Sequence, residues 1–334
     1  MGRRQSDSEL GRRALLFLLL TAALSCCMVY LCFSHAFDHL DDFPSFESEA
    51  DLAFGGRQVE EEEEDKDCCR GIPHLELWGD AVKWGANFKL NSSRECCLAC
   101  KAMCKSPCLC DSWVFCGEKP ACGSNFGECW LKKQKDPLEP DRRDAGSLVM
   151  WTSGLVYGER EGIVGLETDY GMLRVHLLPD CAPHSVSYIL ELLALRHCAG
   201  CHFYRAESRG RSWDDAGNHI KHASYGPPYA LIQGTLEAQG TIFKDISPEA
   251  CPTVTRGSVA WVGSGPEFFI SLAHHSEWPK DYYTVFGYVL PEDMGIVEKI
   301  ARLPTKPEVW NNIHVAVLET SVPLRLRRIE KSPL

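Results

Sequence analysis

The chain has 334 residues, room for about two domains, each with a core of its own. A composition of 45% hydrophobic and 24% charged residues is that of an ordinary globular chain and excludes a wholly disordered or fibrous one. Lys+Arg 35 against Asp+Glu 46 gives a net charge of −11, so no global basic field gathers phosphates and no nucleic-acid partner is expected.

Residues 1–13 form a basic tail containing Arg3, Arg4, Arg12 and Arg13. Residues 14–33, ALLFLLLTAALSCCMVYLCF, carry no charge; at ~1.5 Å per residue a helix of that length crosses a bilayer core. Basic residues before it and acidic ones after it (Asp38, Asp41, Asp42) place the tail in the cytosol and the rest in the lumen. The expectation is a single-pass type II membrane protein of the secretory pathway, endoplasmic reticulum or Golgi, anchored by one helix. Ala23-Leu24-Ser25 also loosely resembles a signal-peptide cleavage site, but the apolar run continues to Phe33 and favours the uncleaved anchor. Residues 34–66 read as an acidic stem, with six consecutive carboxylates at 60–65 whose repulsion favours an extended stretch.

Fifteen of the 18 cysteines lie beyond the apolar segment, and 11 of those fall between Cys68 and Cys129. In an oxidising lumen this density reads as disulfides bracing a small module over 67–155; zinc would need reduced thiolates. Asn91-Ser92-Ser93 is a glycosylation acceptor at Asn91. Ser92-Ser93-Arg94-Glu95 reads as a capping box opening a helix on which Cys97, Cys100 and Cys104 share a face, to be pinned to a neighbouring strand. Residues 111–116 and 128–132 are the strand candidates. The odd count of 11 leaves one cysteine unpaired or bonded elsewhere, and Cys181 and Cys251 are open to pairing with it or with each other.

These segments, ECCLAC at 95–100, SWVFC at 112–116, CGSNFGECWLKK at 122–133 and WTSG at 151–154, resemble the PAN/apple family. The resemblance implies a disulfide-clasped helix on an antiparallel sheet, used to bind a protein or carbohydrate ligand without catalysis.

Over 160–325, Leu173, Val175 and Leu177 alternate with polar residues as a strand does, and a proline-initiated helix follows with Val186, Ile189, Leu190 and Leu193 on one face. Short strands are expected at 268–272 and 284–290, a helix at 294–303, and a last alternating strand through Ile313, Val315 and Val317. GMLRVHLLPDCAPHSVSYILELL at 171–193, HFYR at 202–205, LIQG at 231–234 and EFFISLAHHSEWPKDYYTVFGYVL at 267–290 resemble the cyclophilins. The fold class expected is therefore mainly β: a cyclophilin-like barrel capped by two helices, preceded by the small α+β PAN/apple-like module and the membrane helix.

The cyclophilin resemblance implies cis/trans isomerisation of X-Pro bonds in polypeptide clients, with no cofactor and no metal. It makes Arg205 the catalytic arginine and Gln233 the glutamine that orients substrate. Leu231 and Phe269 become walls of the proline slot and Trp278 its rim, with Tyr204 and Tyr283 at positions usually held by histidine. Ala230 stands for an expected phenylalanine, Gly263 for an asparagine and Glu267 for a glutamine. Two consequences are expected of these departures: Ala230 strips apolar area from the slot, and Glu267 pairs with Arg205 and restrains it. They also open a second reading, a weak or inactive relative that binds proline-containing or glycosylated partners.

Two further motifs are read as structural. Cys198-Ala199-Gly200-Cys201 follows a helix and precedes a strand, the wrong context for a thioredoxin-type site, so a local disulfide or two free thiols is expected. His274 and His275, read as strand neighbours, point to opposite faces and do not chelate with Glu277.

Overall fold

A helix held to a small sheet by sulfur bridges begins the described part of this computed structural model, which covers residues 68–195, 198–238, 243–249, 252–279 and 282–329 together with Ser25, Cys27 and Met28. The basic tail, the stem and the 14–33 segment lie outside the described residues, apart from those three isolated positions, which are helical and exposed. Among the described residues no helix is long and apolar enough to cross a membrane.

The first module contains β1 (Ile72–Pro73), β2 (Leu75–Leu77), β3 (Asp80–Lys83), α1 (Ser93–Met103), β4 (Ser112–Phe115), the single turn α2 (Lys119–Cys122), β5 (Cys129–Lys133), β6 (Arg142–Ala145) and β7 (Thr152–Leu155). Five strands form an antiparallel sheet in the order β1-β7-β4-β5-β3, and β2 pairs with β6. Trp113 on β4 is fully buried, and the sheet closes over it because a Cβ at Gly154 would lie 2.6 Å from its indole. Ser92 caps α1 by accepting the Glu95 N–H at 3.1 Å, while the Glu95 carboxylate reaches back to the Asn91 N–H rather than to that of Ser92.

Cys96 joins α1 to β5 at Cys129, Cys97 reaches Cys69, and Cys100 and Cys104 close local loops to Cys110 and Cys108. The expected pinning of α1 to a strand is thus made by Cys96, not by the Cys97, Cys100 and Cys104 face. The periodicity rule could not choose between adjacent cysteines that are both buried. Cys116 bonds Cys122, and the cysteine left over, Cys68, bonds Cys181 in the second half. Cys251 lies outside the described residues.

The second half contains β8 (Ile163–Thr168), β9 (Gly171–Leu177), α3 (Pro183–Ala194), β10 (His202–Glu207), β11 (Leu231–Thr235), β12 (Ser258–Trp261), β13 (Glu267–Ser271), β14 (Val285–Val289), α4 (Met294–Ile300), β15 (Thr305–Trp310), β16 (Ile313–Pro323) and β17 (Arg325–Arg328). Its sheet runs β15-β16-β10-β11-β13-β12-β14-β9-β8-β17. Only Leu324 separates β16 from β17, so one run of chain pairs with β10 near one end of this order and with β8 at the other. Helix α3 lies against β17 and α4 against β9. Leu173, Val175, Val186, Ile189, Phe203, Ile232, Phe268 and Phe286 belong to one continuous core.

The two halves belong to one unit. Besides the Cys68–Cys181 bond, the Arg70 N–H donates to the Asp180 carbonyl at 2.8 Å, and Lys101 pairs with Asp180 at 2.8 Å. Arg142 donates to Ser187 Oγ at 2.6 Å, and Arg328 pairs with Asp136 and Glu139.

Candidate active site

Strand register brings the central residues together. Arg205 on β10 is the direct partner of Gln233 on β11, which is the direct partner of Phe269 on β13. Direct cross-strand partners share a face, as do residues two apart on one strand, so Leu231 and Glu207 join the same surface. β11 can lie this close to β10 because Gly234 has no side chain: a Cβ there would sit 2.4 Å from the His202 carbonyl oxygen.

Arg205, Gln233, Leu231, Phe269, Trp278 and Tyr283 line a single cleft of about 440 Å³, joined by Tyr229, Val262, Tyr282, Trp310, Asn311, Ile313 and Val315. At one end the rings of Phe269, Trp278 and Tyr283 meet mutually, with centroids 5.7, 5.1 and 4.8 Å apart. Tyr229 stands 6.4 Å from Trp278. This is an apolar, aromatic slot of the kind that takes a compact ring.

The Arg205 side chain is only 11% exposed. Its Nε donates to Glu207 Oε1 at 2.9 Å and its Nη1 to Gln233 Oε1 at 2.8 Å. The Tyr229 and Trp310 rings flank the guanidinium with centroids 5.6 and 5.7 Å away. Glu207, itself 1% exposed, also accepts the backbone N–H of Tyr229 at 2.6 Å and of Ala316 at 3.3 Å. Gln233 Nε2 donates to the Tyr204 hydroxyl at 2.7 Å, and that hydroxyl donates to Glu267. The guanidinium is thus fixed in two directions in a partly dry wall, where its charge acts through a lowered dielectric.

Burial, reinforced by the Glu267 carboxylate, raises the Tyr204 hydroxyl far above its ordinary range. Burial likewise pushes Tyr283 up to about 12. Both phenols stay protonated at neutral pH. Behind the rim, His275 is fully buried and stacks on Trp278 at 3.6 Å between centroids, with Nδ1 2.7 Å from Glu277 Oε1. Burial lowers its pKa against the opposing pull of Glu277.

Several expectations are corrected here. Glu267 does not pair with Arg205; it takes the Tyr204 hydroxyl, and the arginine's carboxylate is Glu207. Tyr204 falls at a β-bulge between Phe203 and Arg205 and braces Gln233 instead of forming a cleft wall. Ala230 does not leave the slot open on that side. It is buried with φ +53°, a left-handed conformation that non-glycine residues adopt uncommonly, and Tyr229 beside it lines the cleft with an aromatic ring. His274 and His275 follow β13 rather than lying on it. Gly263 sits in the β12–β13 turn with φ +61°.

Glu207, Tyr229 and Trp310 were not foreseen. For Glu207 a signal exists in the sequence, since two residues beyond Arg205 on one strand is the same face. Trp310 comes with the β15–β16 hairpin, whose signal is the Asn311-Asn312 pair; both have positive φ, +49° and +66°.

Cys198 and Cys201 are bonded to each other and buried. Among the described residues, one cluster of metal-ligand types, Cys104, Cys108 and Glu161, has its two sulfurs joined as a disulfide, which removes the thiolates. Asn91 is exposed. A larger groove, about 880 Å³, lies in the first module, walled by Trp78, Trp84, Trp130 and Trp151 with Glu76, Asp80 and Asp141 among its polar groups.

Residues 163–322 match the model of the cyclophilin type peptidyl-prolyl cis-trans isomerase family. Peptidyl-prolyl cis-trans isomerase-like 3 proteins of Gallus gallus, Rattus norvegicus and Homo sapiens are each 25% identical over 162 residues, covering 46% of this chain and 91% of theirs. Among solved structures, a Cryptosporidium parvum cyclophilin type isomerase aligns with 15% identity and a TM-score of 0.37, over 52% of this chain and 99% of that one. The cyclophilin AquaCyp293 of Hirschia baltica aligns with 12% identity and a TM-score of 0.32, over 47% and 72%. Matched by the family model from its first strand to its last long one, the C-terminal half of the chain carries a cyclophilin-type peptidyl-prolyl isomerase domain.

Proposed function

We propose that the protein is a peptidyl-prolyl cis-trans isomerase acting on X-Pro bonds of secretory polypeptides from a membrane-anchored, luminal position. The observation that carries this reading is the Arg205 guanidinium, held by Glu207 and Gln233 beside an aromatic slot.

The barrier to rotation, about 18–20 kcal/mol, comes from amide resonance. As the C–N bond twists, the prolyl nitrogen pyramidalises and its lone pair becomes a hydrogen-bond acceptor, which it is not in either planar state. A guanidinium aimed at that nitrogen therefore binds the twisted state more tightly than the ground states. A hydrogen bond to a charged group contributes about 1.5–3 kcal/mol, roughly ten- to a hundredfold in rate. Leu231, Phe269, Trp278, Tyr229 and Tyr283 would hold the ring and exclude water, and Gln233, braced by Tyr204, would orient the adjoining carbonyl. No proton changes hands, in keeping with phenols that do not ionise at neutral pH.

Seven disulfides among the described residues support an oxidising compartment. The membrane anchor at 14–33, the glycan at Asn91 and the PAN/apple-like reading of the first module belong to the same proposal. A helix bonded by Cys96–Cys129 to an antiparallel sheet supports that reading. The tryptophan-lined groove is where its protein or carbohydrate ligand would sit, and tethering a client there would raise its effective concentration at the cleft.

The test is exchange between cis and trans proline in an unstructured peptide, followed by NMR with the oxidised full chain. Acceleration by wild type, reduced about ten- to a hundredfold in Arg205→Ala, is the expected outcome; binding without exchange would favour the alternative, a partner-binding relative whose site has lost turnover.

A further inference from the structure

The cleft does not end at the proline slot. β16 begins at Ile313, four residues before Val317, the partner of Arg205, so the β15–β16 hairpin runs on past the arginine. Trp310 and Ile313 face each other across its two-residue turn, and Val315 lies two residues beyond Ile313; cross-strand partners and alternate residues share a face. All three line the cleft. Trp310 lies against Arg205 on one side and 6.0 Å from the Tyr204 ring on the other. Ile313 remains 42% exposed, an isoleucine at the rim of a substrate cleft with water as its neighbour.

Arg205 thus stands between two apolar surfaces: the aromatic slot, and a second patch of Trp310, Ile313 and Val315 contributed by the edge hairpin. A peptide whose proline fills the slot, with its nitrogen over Arg205, must carry one of its neighbouring residues across that second patch. We infer that Trp310, Ile313 and Val315 form a subsite for a bulky apolar side chain next to the proline, and so select X-Pro bonds in apolar sequence. This rests on the isomerase reading of the same cleft.

The experiment uses the oxidised full chain with two series of proline peptides. One varies the residue before proline and the other the residue after it, each through Gly, Glu, Leu and Phe. Both turnover and peptide affinity are measured. On one side of the proline, and one only, the Leu and Phe peptides should be preferred over Gly by roughly tenfold, as partial burial of one such side chain gives. The preference ratio should collapse toward one in Ile313→Asn as well as in Trp310→Ala. Ile313 is not among the groups that hold Arg205, so it separates lost recognition from a displaced guanidinium. A uniform fall that leaves the ratio intact in both variants would overturn the subsite, as would a wild-type protein indifferent to the neighbouring residue. Absence of turnover on every peptide would overturn the isomerase reading instead. The affinity ratios would then decide the subsite by themselves.

Discussion

The Glu207 carboxylate, 1% exposed, accepts the Arg205 Nε at 2.9 Å and the backbone N–H of Tyr229 at 2.6 Å, and so ties the proposed catalytic cation to a wall of the cleft. Replacing it with glutamine keeps the shape and removes the charge. Because the partner guanidinium is nearly buried, an uncompensated charge is left behind, and breaking such a pair costs about 3–5 kcal/mol of stability. Glu207→Gln is expected to lower Tm by several degrees. Assayed where it remains folded, it should lose about tenfold or more in kcat with little change in KM, since the slot is untouched. A variant with wild-type kcat would show that Arg205 does not need this anchor.

Tyr204 links Gln233 to Glu267 through one hydroxyl. Tyr204→Phe removes the acceptor that holds Gln233 Nε2 and should raise KM several-fold, the effect of one neutral hydrogen bond at about 1 kcal/mol. Glu267→Gln retains an amide oxygen for the phenol and should change activity by less than about threefold. A large gain from Glu267→Gln in steady-state kinetics would mean that this carboxylate restrains Arg205 after all.

Tyr229 supplies the aromatic surface that Ala230 cannot. Truncation to alanine removes apolar contact of about 1–2 kcal/mol and should weaken peptide binding roughly five- to thirtyfold, whereas Tyr229→Phe should bind nearly as wild type. Titration calorimetry with one proline peptide separates the two. Equal losses would assign the effect to the hydroxyl rather than to the ring.

His275 is buried against Trp278, and burial holds its pKa below 6.5 despite Glu277. Above the unfolded value of about 6.5 the imidazole is neutral in both states and contributes no pH dependence. As pH falls through that value the unfolded chain takes up the proton first, so stability declines until the folded value is passed. Thermal melts followed by tryptophan fluorescence should show wild type losing more stability between pH 7 and pH 5 than His275→Gln. Parallel pH profiles would show that His275 does not contribute to the pH dependence of stability.

Arg205, Gln233 and Phe269 were legible in the sequence only through the cyclophilin resemblance: alternation within a strand is local, but the register between strands joins segments distant in sequence. Once HFYR, LIQG and EFFIS are strands, Arg205, Gln233 and Phe269 fall on one face, and the pairing sets them side by side. What was not legible depends on contacts between distant segments. Which of two adjacent cysteines, Cys96 or Cys97, meets β5 depends on the small rotation of α1 over its sheet, and spacing leaves that open. The partner of Glu267 turned on the bulge at Tyr204, a register change that no alternation pattern records. Tyr229 lines the cleft beside an Ala230 with φ +53°, a left-handed conformation that an alanine in the sequence does not signal.

Whether Arg205 beside an apolar slot accelerates rotation about X-Pro bonds is read most directly from two-dimensional exchange NMR on one proline peptide with the oxidised full chain and its Arg205→Ala variant. Wild type is expected to catalyse exchange and the variant to do so about ten- to a hundredfold more slowly, with peptide affinity changed far less. Catalysis that survives the loss of Arg205, or a folded wild-type protein that binds the peptide and leaves its exchange rate unaltered, would contradict that role of Arg205.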